Sequence, residues 1–421
     1  MLPGKGAFLS FPMLESIFVF SHRLLFFSIC GIIKRIFMTK ELIVKMEVYL
    51  DNAATTKPCS EAVAAAVEAM TEKYGNPSSL HRSGLNAQLL VDDTRKALAS
   101  AIGAESENIY FTSGATESNN LALRGASAAY GRKRKKIVIS AVEHASVEET
   151  AADLERNGFE IVRVSPREDG RYYAADFVNA CGDDTCLVSM MYVNNETGYI
   201  LPVKETFSAL KRKYPDIVTH TDCVQAFMKL PVKVNALCAD LISLSGHKIH
   251  GGKGVGALYI RKGIRVLPVV TGGKQEKGIR SGTEGVPMIA AFGAAVKKLS
   301  PTISERYEKV MALKSYLLAK LGSIDGVVIN SPEDGSPYVV NISAEGKRSE
   351  IMLHFLESKE IYVSSGSACS KGQQSGVLGQ FGIKDKLADS ALRISMTAET
   401  KEAELDIFCE ALSEGMEKLR G

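Results

Sequence analysis

Lys248 follows the apolar run Leu241-Ile-Ser-Leu244 within Ser245-Gly246-His247-Lys248. A lysine just past a strand, among small residues, is partly desolvated. Desolvation penalises the ammonium form, which makes the amine a nucleophile for Schiff-base chemistry. The same residue also reads as a surface lysine in a glycine-rich loop. Asp222 ends the preceding strand-like run. A carboxylate there can keep a ring nitrogen protonated, or it can cap a helix. His144 can lie flat on a ring, or cap. Ser113-Gly114-Ala115-Thr116 joins a strand run to a helix. Its free backbone N–H groups and the Thr116 hydroxyl can cradle an anion; without a ligand it is an ordinary N-terminus. Ser245 and His247 can donate to the same anion. Cys369 sits in Ser364-Ser-Gly-Ser-Ala-Cys-Ser-Lys-Gly372. Lys371 favours its thiolate, which is the nucleophilic form.

Other chemistries are a poor match. His247 and His250 lack a third ligand nearby and the acid of H-E-x-x-H, so no metal site is expected. Gly246 to Gly254 is not a Walker loop, because position 247 is His and Gly254 follows Lys253. Lys plus Arg number 51 against 48 Asp plus Glu, too even for a general nucleic-acid binder. The run Arg132 to Lys136 reads as a solvated loop face. Eight cysteines without a C-x-x-C pair do not make a disulfide scaffold, and fit a reduced cytoplasmic setting.

The elements that must position these residues follow an α/β alternation. Val63, Ala66, Val67, Met70 and Tyr74 fall at helical spacing and predict a helix over Ser60 to Tyr74, capped by Ser60. A second helix should carry Leu85, Leu89 and Leu90. Five strand-like runs then each end in a polar cluster: Asn108 to Phe111, Ile137 to Ile139, Cys186 to Val193, Asp216 to Thr219 and Leu241 to Leu244. Ligands of an open parallel sheet bind beyond the carboxyl ends of its strands, so these five clusters form the floor of one site. From about Ser300 the pattern changes to long helices with a few strands, which predicts a second, smaller domain. Residues 1–45 are different again. Their longest uncharged apolar stretch, Leu24 to Ile33, is about half the ~20 residues of a membrane span. They read as a non-essential extension or a mis-assigned start, with a weak membrane-surface anchor as the rival.

Ten segments, in order, resemble the pyridoxal-phosphate-dependent cysteine desulfurases of the class V aminotransferase family, in the iron–sulfur-assembly and nitrogenase-type branch. They are YLDNAATT, YGNPSSLH, TSGATESNN, VEHASV, NNETG, TDCVQ, SGHKIHGGKG, IRSGTEG, SSGSACS and ALRIS. The resemblance implies an α/β fold of the aspartate aminotransferase type. A large domain, residues 60–300, would hold the cofactor on a mostly parallel sheet. A smaller α+β domain, residues 46–59 with 301–421, would carry the cysteine loop. It implies pyridoxal 5'-phosphate on Lys248, with Asp222 at the ring nitrogen, His144 stacked on the ring, and Asn195 and Gln225 at the ring hydroxyl. Ala115, Thr116, Ser245 and His247 would hold the phosphate. Thr283 would reach it from a neighbouring subunit, so the protein would be a homodimer. Arg393, with Asn195, would bind the carboxylate of L-cysteine, and Cys369 would take the sulfur as a persulfide. A scaffold or tRNA-thiolation protein would accept it; direct nucleic-acid or membrane contact is not expected. The alternatives are another class V enzyme, such as an aminotransferase or a selenocysteine or cystine lyase, and a non-catalytic sulfur-relay partner. Three departures stand out: SKGQQSGVLGQFG after Cys369 lacks an acidic-proline stretch, the tail after Arg393 is short, and residues 1–45 have no counterpart.

Overall fold

In chain order the elements are β1 (Val48–Tyr49), α1 (Ser60–Thr71), α2 (Arg82–Ile102), β2 (Ile109–Thr112), α3 (Ala115–Tyr130), β3 (Lys136–Ser140), α4 (Ala145–Arg156) and β4 (Glu160–Val164). They continue with α5 (Ala174–Ala180), β5 (Thr185–Ser189), α6 (Val203–Lys213), β6 (Val218–Asp222), α7 (Val234–Leu237), β7 (Leu241–Ser245), β8 (Gly256–Ile260), α8 (Val286–Leu299) and α9 (Ile303–Leu321). Last come β9 (Val327–Ile329), β10 (Val339–Ala344), α10 (Ser349–Glu357), β11 (Ile361–Tyr362), β12 (Ser364–Ser365), α11 (Gly376–Gln380), α12 (Asp385–Asp389), β13 (Ala391–Ser395) and α13 (Glu402–Lys418). This computed structural model describes residues 47–365, 376–383 and 385–419. The expectations for residues 1–45 and for Cys369 lie outside the described residues.

The central sheet has the order β2-β8-β7-β6-β5-β3-β4. The β7-β6-β5-β3-β4 pairs are parallel, while β8 runs antiparallel to both β2 and β7. Strands β5 to β8 are buried along their whole length. This explains why the runs at the interior strands β3, β5 and β7 read as continuous apolar stretches: strands inside such a sheet are covered on both faces. The exception is β6, which continues past Thr219 through His220 and Thr221 to Asp222. His220 is fully buried because Ser189 Oγ on β5 meets its Nδ1 at 2.8 Å and Ser243 Oγ on β7 meets its Nε2 at 3.0 Å. Burial pushes its pKa down to about 3, so the imidazole is neutral across this ladder. At β5 the strand stops at Ser189; Met190, Met191 and Val193 stay buried as the chain crosses the sheet end.

A four-stranded antiparallel sheet, β12-β13-β10-β9, has its own apolar cluster, including Val310, Leu317, Ile342, Ile394 and Phe408. Val48 and Leu50 join that cluster, and β1 pairs in parallel with β11. Among the described residues no helix is long and apolar enough to cross a membrane.

Helix α1 departs from its expected form in three ways. It ends at Thr71, three residues short of Tyr74. Ser60 is its first residue, not its cap; Cys59 holds the cap position and makes no side-chain cap bond. The buried face is Ala62, Ala66 and Ala69, against α8. These small residues let the two helices approach closely. Val63, Val67, Met70 and Tyr74 are all half or more exposed, as are Leu85 and Leu89 on α2.

Candidate active site

A cavity of about 810 Å³ opens at the carboxyl ends of the parallel strands. Its walls include Ala115, Thr116, His144, Asn195, Asp222, Gln225, His247, Lys248 and Arg393, so nine of the expected residues meet in one place. Ser245, the last residue of β7, is not in this wall. Thr283 is not in this wall; it lines a neighbouring cavity of about 170 Å³ with Ser113, Gly254 and Val255. Its segment is tied to α3 by Arg280, whose Nε donates to Glu117 Oε1 at 2.7 Å.

From β2 the chain turns at Gly114 into α3. Gly114 has no side chain to cap the helix, so the first-turn N–H groups at Ala115 and Thr116 are left for a ligand. The turn rests on β8, where a Cβ on Gly256 would lie 2.6 Å from the Gly114 carbonyl carbon. Glycine at 256 is therefore a packing requirement. Ser245 Oγ is buried without a partner among the described residues. A buried hydroxyl left unpaired is costly, and an anion in the cup would satisfy it. His247 is pushed down to about 4, by burial first and then by Lys248 and Lys253. It is neutral, with Nδ1 3.3 Å from Thr55 Oγ1.

Asp222 is held from two sides. Its Oδ1 accepts from Val224 N at 2.9 Å and its Oδ2 from Asn119 Nδ2 at 2.7 Å. Asn119 also donates to Ser146 Oγ at 2.8 Å, and Ser146 Oγ lies 2.9 Å from His144 Nδ1. His144 caps α4, accepting from Ser146 N at 3.1 Å. Its cap role and its place in the cavity wall are thus compatible. Asn119 and Ser146 were not singled out from the sequence. Their signal is a polar residue on the buried face of a helix, and Asn119 is decoded only by partners far along the chain.

Lys248 Nζ donates to the carbonyls of Ala53, at 2.5 Å, and Ala54, at 2.6 Å. Gln225 Nε2 donates to the same Ala53 carbonyl at 2.9 Å. Arg393 on β13 donates to Asn195 O at 3.1 Å, Asp51 Oδ1 at 3.0 Å and Ser364 Oγ at 3.1 Å. Its Nε is buried without a partner among the described residues. Lys248 and Arg393 thus line the same cavity as the anion cup, an arrangement that suits a doubly anionic ligand and a carboxylate.

Comparison with known proteins bears on this site. Residues 48–408 match the family model described as aminotransferase class-V. The chain is 39% identical over 376 residues to the cysteine desulfurase IscS of Methanosarcina thermophila, covering 89% of this chain and 93% of that one. A solved NifS-like protein superposes with a TM-score of 0.84 at 34% identity, covering 89% of this chain and all of its own. A solved structure of SspA in complex with cysteine superposes at 0.75 with 29% identity, covering 84% and 99%. The chain belongs to the class-V aminotransferase family, in its cysteine desulfurase branch. It is an enzyme of that kind, and the family depends on pyridoxal phosphate.

Proposed function

We propose that the protein converts L-cysteine to L-alanine with pyridoxal 5'-phosphate, leaving the sulfur on Cys369 as a persulfide for an acceptor protein. The observation that carries this reading is the meeting of Lys248, Asp222, His144, Thr116 and Arg393 in one cavity. The residues fit the cofactor. Ala115, Thr116, His247 and the orphaned Ser245 hydroxyl would hold its phosphate. Asp222, an acceptor on both oxygens, would hold the protonated ring nitrogen, with His144 on the ring face and Asn195 and Gln225 at the ring hydroxyl. Lys248 would carry the group covalently. When bound, the ring takes up the electron pair released at the substrate Cα.

The chain's own residues do the rest. Arg393 orients the substrate by its carboxylate, with a fork that suits two oxygens. Lys248 Nζ, freed by substrate, moves the Cα proton. The Cys369 thiolate attacks the substrate sulfur: an S–S bond forms, the Cβ–S bond breaks with its electron pair left on carbon, and protonation there yields alanine. Ser364 and Ser365 stand in the cavity wall. Cys369 follows Ser365 by four positions, a reach of at most roughly 14 Å.

The reading includes a homodimer: the exposed apolar side chains of α1 and α2 would meet a second copy of this chain, and Thr283 of one subunit would serve the phosphate of the other. The reading also divides the chain into a cofactor domain, 60–300, and a small domain of 46–59 with 301–421. The separate apolar cluster joining Val48 and Leu50 to the C-terminal sheet supports that division. The described cysteines are free thiols, consistent with a reducing cytoplasm.

Purified protein given L-cysteine and a thiol reductant should form alanine and sulfide in equal amounts, with a yellow colour lost in Lys248→Ala. An oxo acid as product, or full turnover by Lys248→Ala, would overturn the reading.

A further inference from the structure

Lys229 is 6% exposed, in the turn that follows β6. Its ammonium donates to Gln225 Oε1 at 2.9 Å and lies 5.6 Å from the centre of the Tyr338 ring. Among the described residues no carboxylate pairs with it, and the charges that act on it are those of Lys248 and Arg393, both cations. Burial first, and then these two charges, push its pKa down to about 7. A buried ammonium facing only an amide, a ring and two cations is expensive. A methionine would fill the same space without that cost, so stability alone does not account for a lysine here.

The contact has a directional consequence. An ammonium has donors and no acceptor, so only the Oε1 side of the Gln225 amide can face it. The NH2 side must then point the opposite way. There it donates to Ala53 O, the carbonyl that also receives Lys248 Nζ, at the wall of the cavity. Without the ammonium only the Ala53 carbonyl orients the amide, and that carbonyl already receives Lys248 Nζ. A deprotonated amine can accept as well as donate, and would release this lock.

We propose that Lys229 is a positioning residue of the cofactor site: its buried ammonium fixes the Gln225 amide with the NH2 group turned toward the cavity. The inference rests on the pyridoxal phosphate reading above and adds a residue outside the cavity wall to it.

The experiment titrates pyridoxal phosphate into cofactor-free wild type, Lys229→Met, Gln225→Ala and the double variant across neutral pH. Lys229→Met should weaken binding about tenfold, the scale of one hydrogen bond to a charged group. The double variant should be no worse than Gln225→Ala, because residues acting through one contact are not additive. The wild-type advantage over Lys229→Met should shrink as pH rises past neutrality. Wild type that binds the cofactor while Lys229→Met matches it at every pH overturns the inference and leaves the functional reading intact. So does strict additivity. Wild type that binds no cofactor overturns both. Where Lys229→Met does not fold, wild type and Gln225→Ala decide: wild-type affinity for pyridoxal phosphate should fall past neutrality more steeply than that of Gln225→Ala, which has no amide to hold. Parallel pH profiles for the two overturn the inference.

Discussion

Asn119 holds Asp222 in place: its Nδ2 lies 2.7 Å from Asp222 Oδ2, and both side chains are buried. The donor has to be Nδ2, because an ionised carboxylate only accepts. Through Ser146 the same amide is linked to His144, so the residue expected at the ring nitrogen and the one expected on the ring face share a support. Asn119→Ala should leave a buried carboxylate oxygen unpaired, at a cost of about 1–3 kcal/mol. Asn119→Asp should be worse, with two carboxylates in contact. Cofactor retention and turnover should both fall tenfold or more, in the order wild type, Ala, Asp. Equal retention by all three, measured by visible absorbance after gel filtration, would remove Asn119 from the site.

The floor of the site was legible because parallel strands buried on both faces are apolar runs that stop where the polar residues begin. Where that contrast fails, so does the reading. β6 runs through Thr219, His220 and Thr221, and the burial of His220 depends on Ser189 and Ser243, which no local pattern announces. Helix α1 failed for another reason. Its large apolar residues recur at helical spacing, but the fold buries the alanine face and leaves the large one outward. Periodicity reports that a face is apolar, not which surface covers it. Lys229 was missed because a lone lysine in a turn looks solvated until the fold closes over it.

Glu143, the neighbour of His144, sets a pH dependence of stability. Its Oε1 accepts from Ser140 Oγ at 2.5 Å and Met191 N at 2.7 Å, joining the end of β3 to the chain leaving β5. Oε2 has no partner among the described residues. Burial, opposed by those two bonds, pushes the pKa up from 4.5 to about 8. The folded protein thus keeps a proton that the unfolded chain releases between pH 4.5 and 8. In that window the folded state binds more protons, so this group's contribution to stability falls as pH rises, by at most ~1.4 kcal/mol per pH unit. Glu143→Gln is neutral and similar in shape. Its melting temperature should gain on wild type steadily through that window and run parallel outside it. A constant difference at all pH values would mean that Glu143 does not titrate there.

The outward face of α1 carries Val63, Val67 and Met70, close in sequence to exposed Tyr74, Leu80, Leu85 and Leu89. If a second copy covers this face, Val67→Asp buries a charge at the contact, and the dimer should weaken roughly a hundredfold. The monomer so formed should lose cofactor faster, because Thr283 would no longer be supplied. Thr283→Val should lose cofactor without losing the dimer. Sedimentation with absorbance detection separates the two effects. An unchanged association constant for Val67→Asp would place the second copy elsewhere.

Cys369 decides between a desulfurase and an aminotransferase working from the same cavity. Both need Lys248 and Asp222; only the desulfurase needs a thiol to take the sulfur. A thiol with an ordinary pKa of about 8.5 is only a few per cent thiolate at neutral pH. Turnover should therefore rise with pH through the pKa of the Cys369 thiol. Cys369→Ser keeps Lys248 and Arg393, so it should still bind pyridoxal phosphate and still change its absorption on adding L-cysteine. It should then stop, with alanine formation reduced by three orders of magnitude or more and no persulfide on the protein. The gap follows from the nucleophile: a serine hydroxyl at neutral pH is not ionised and does not attack sulfur at a useful rate. Alanine, sulfide and protein-bound sulfur measured side by side in wild type and Cys369→Ser settle the assignment. Equal alanine from the two proteins would mean that another group accepts the sulfur, and a need for an oxo-acid acceptor would mean that the amino group, not the sulfur, is what the enzyme transfers.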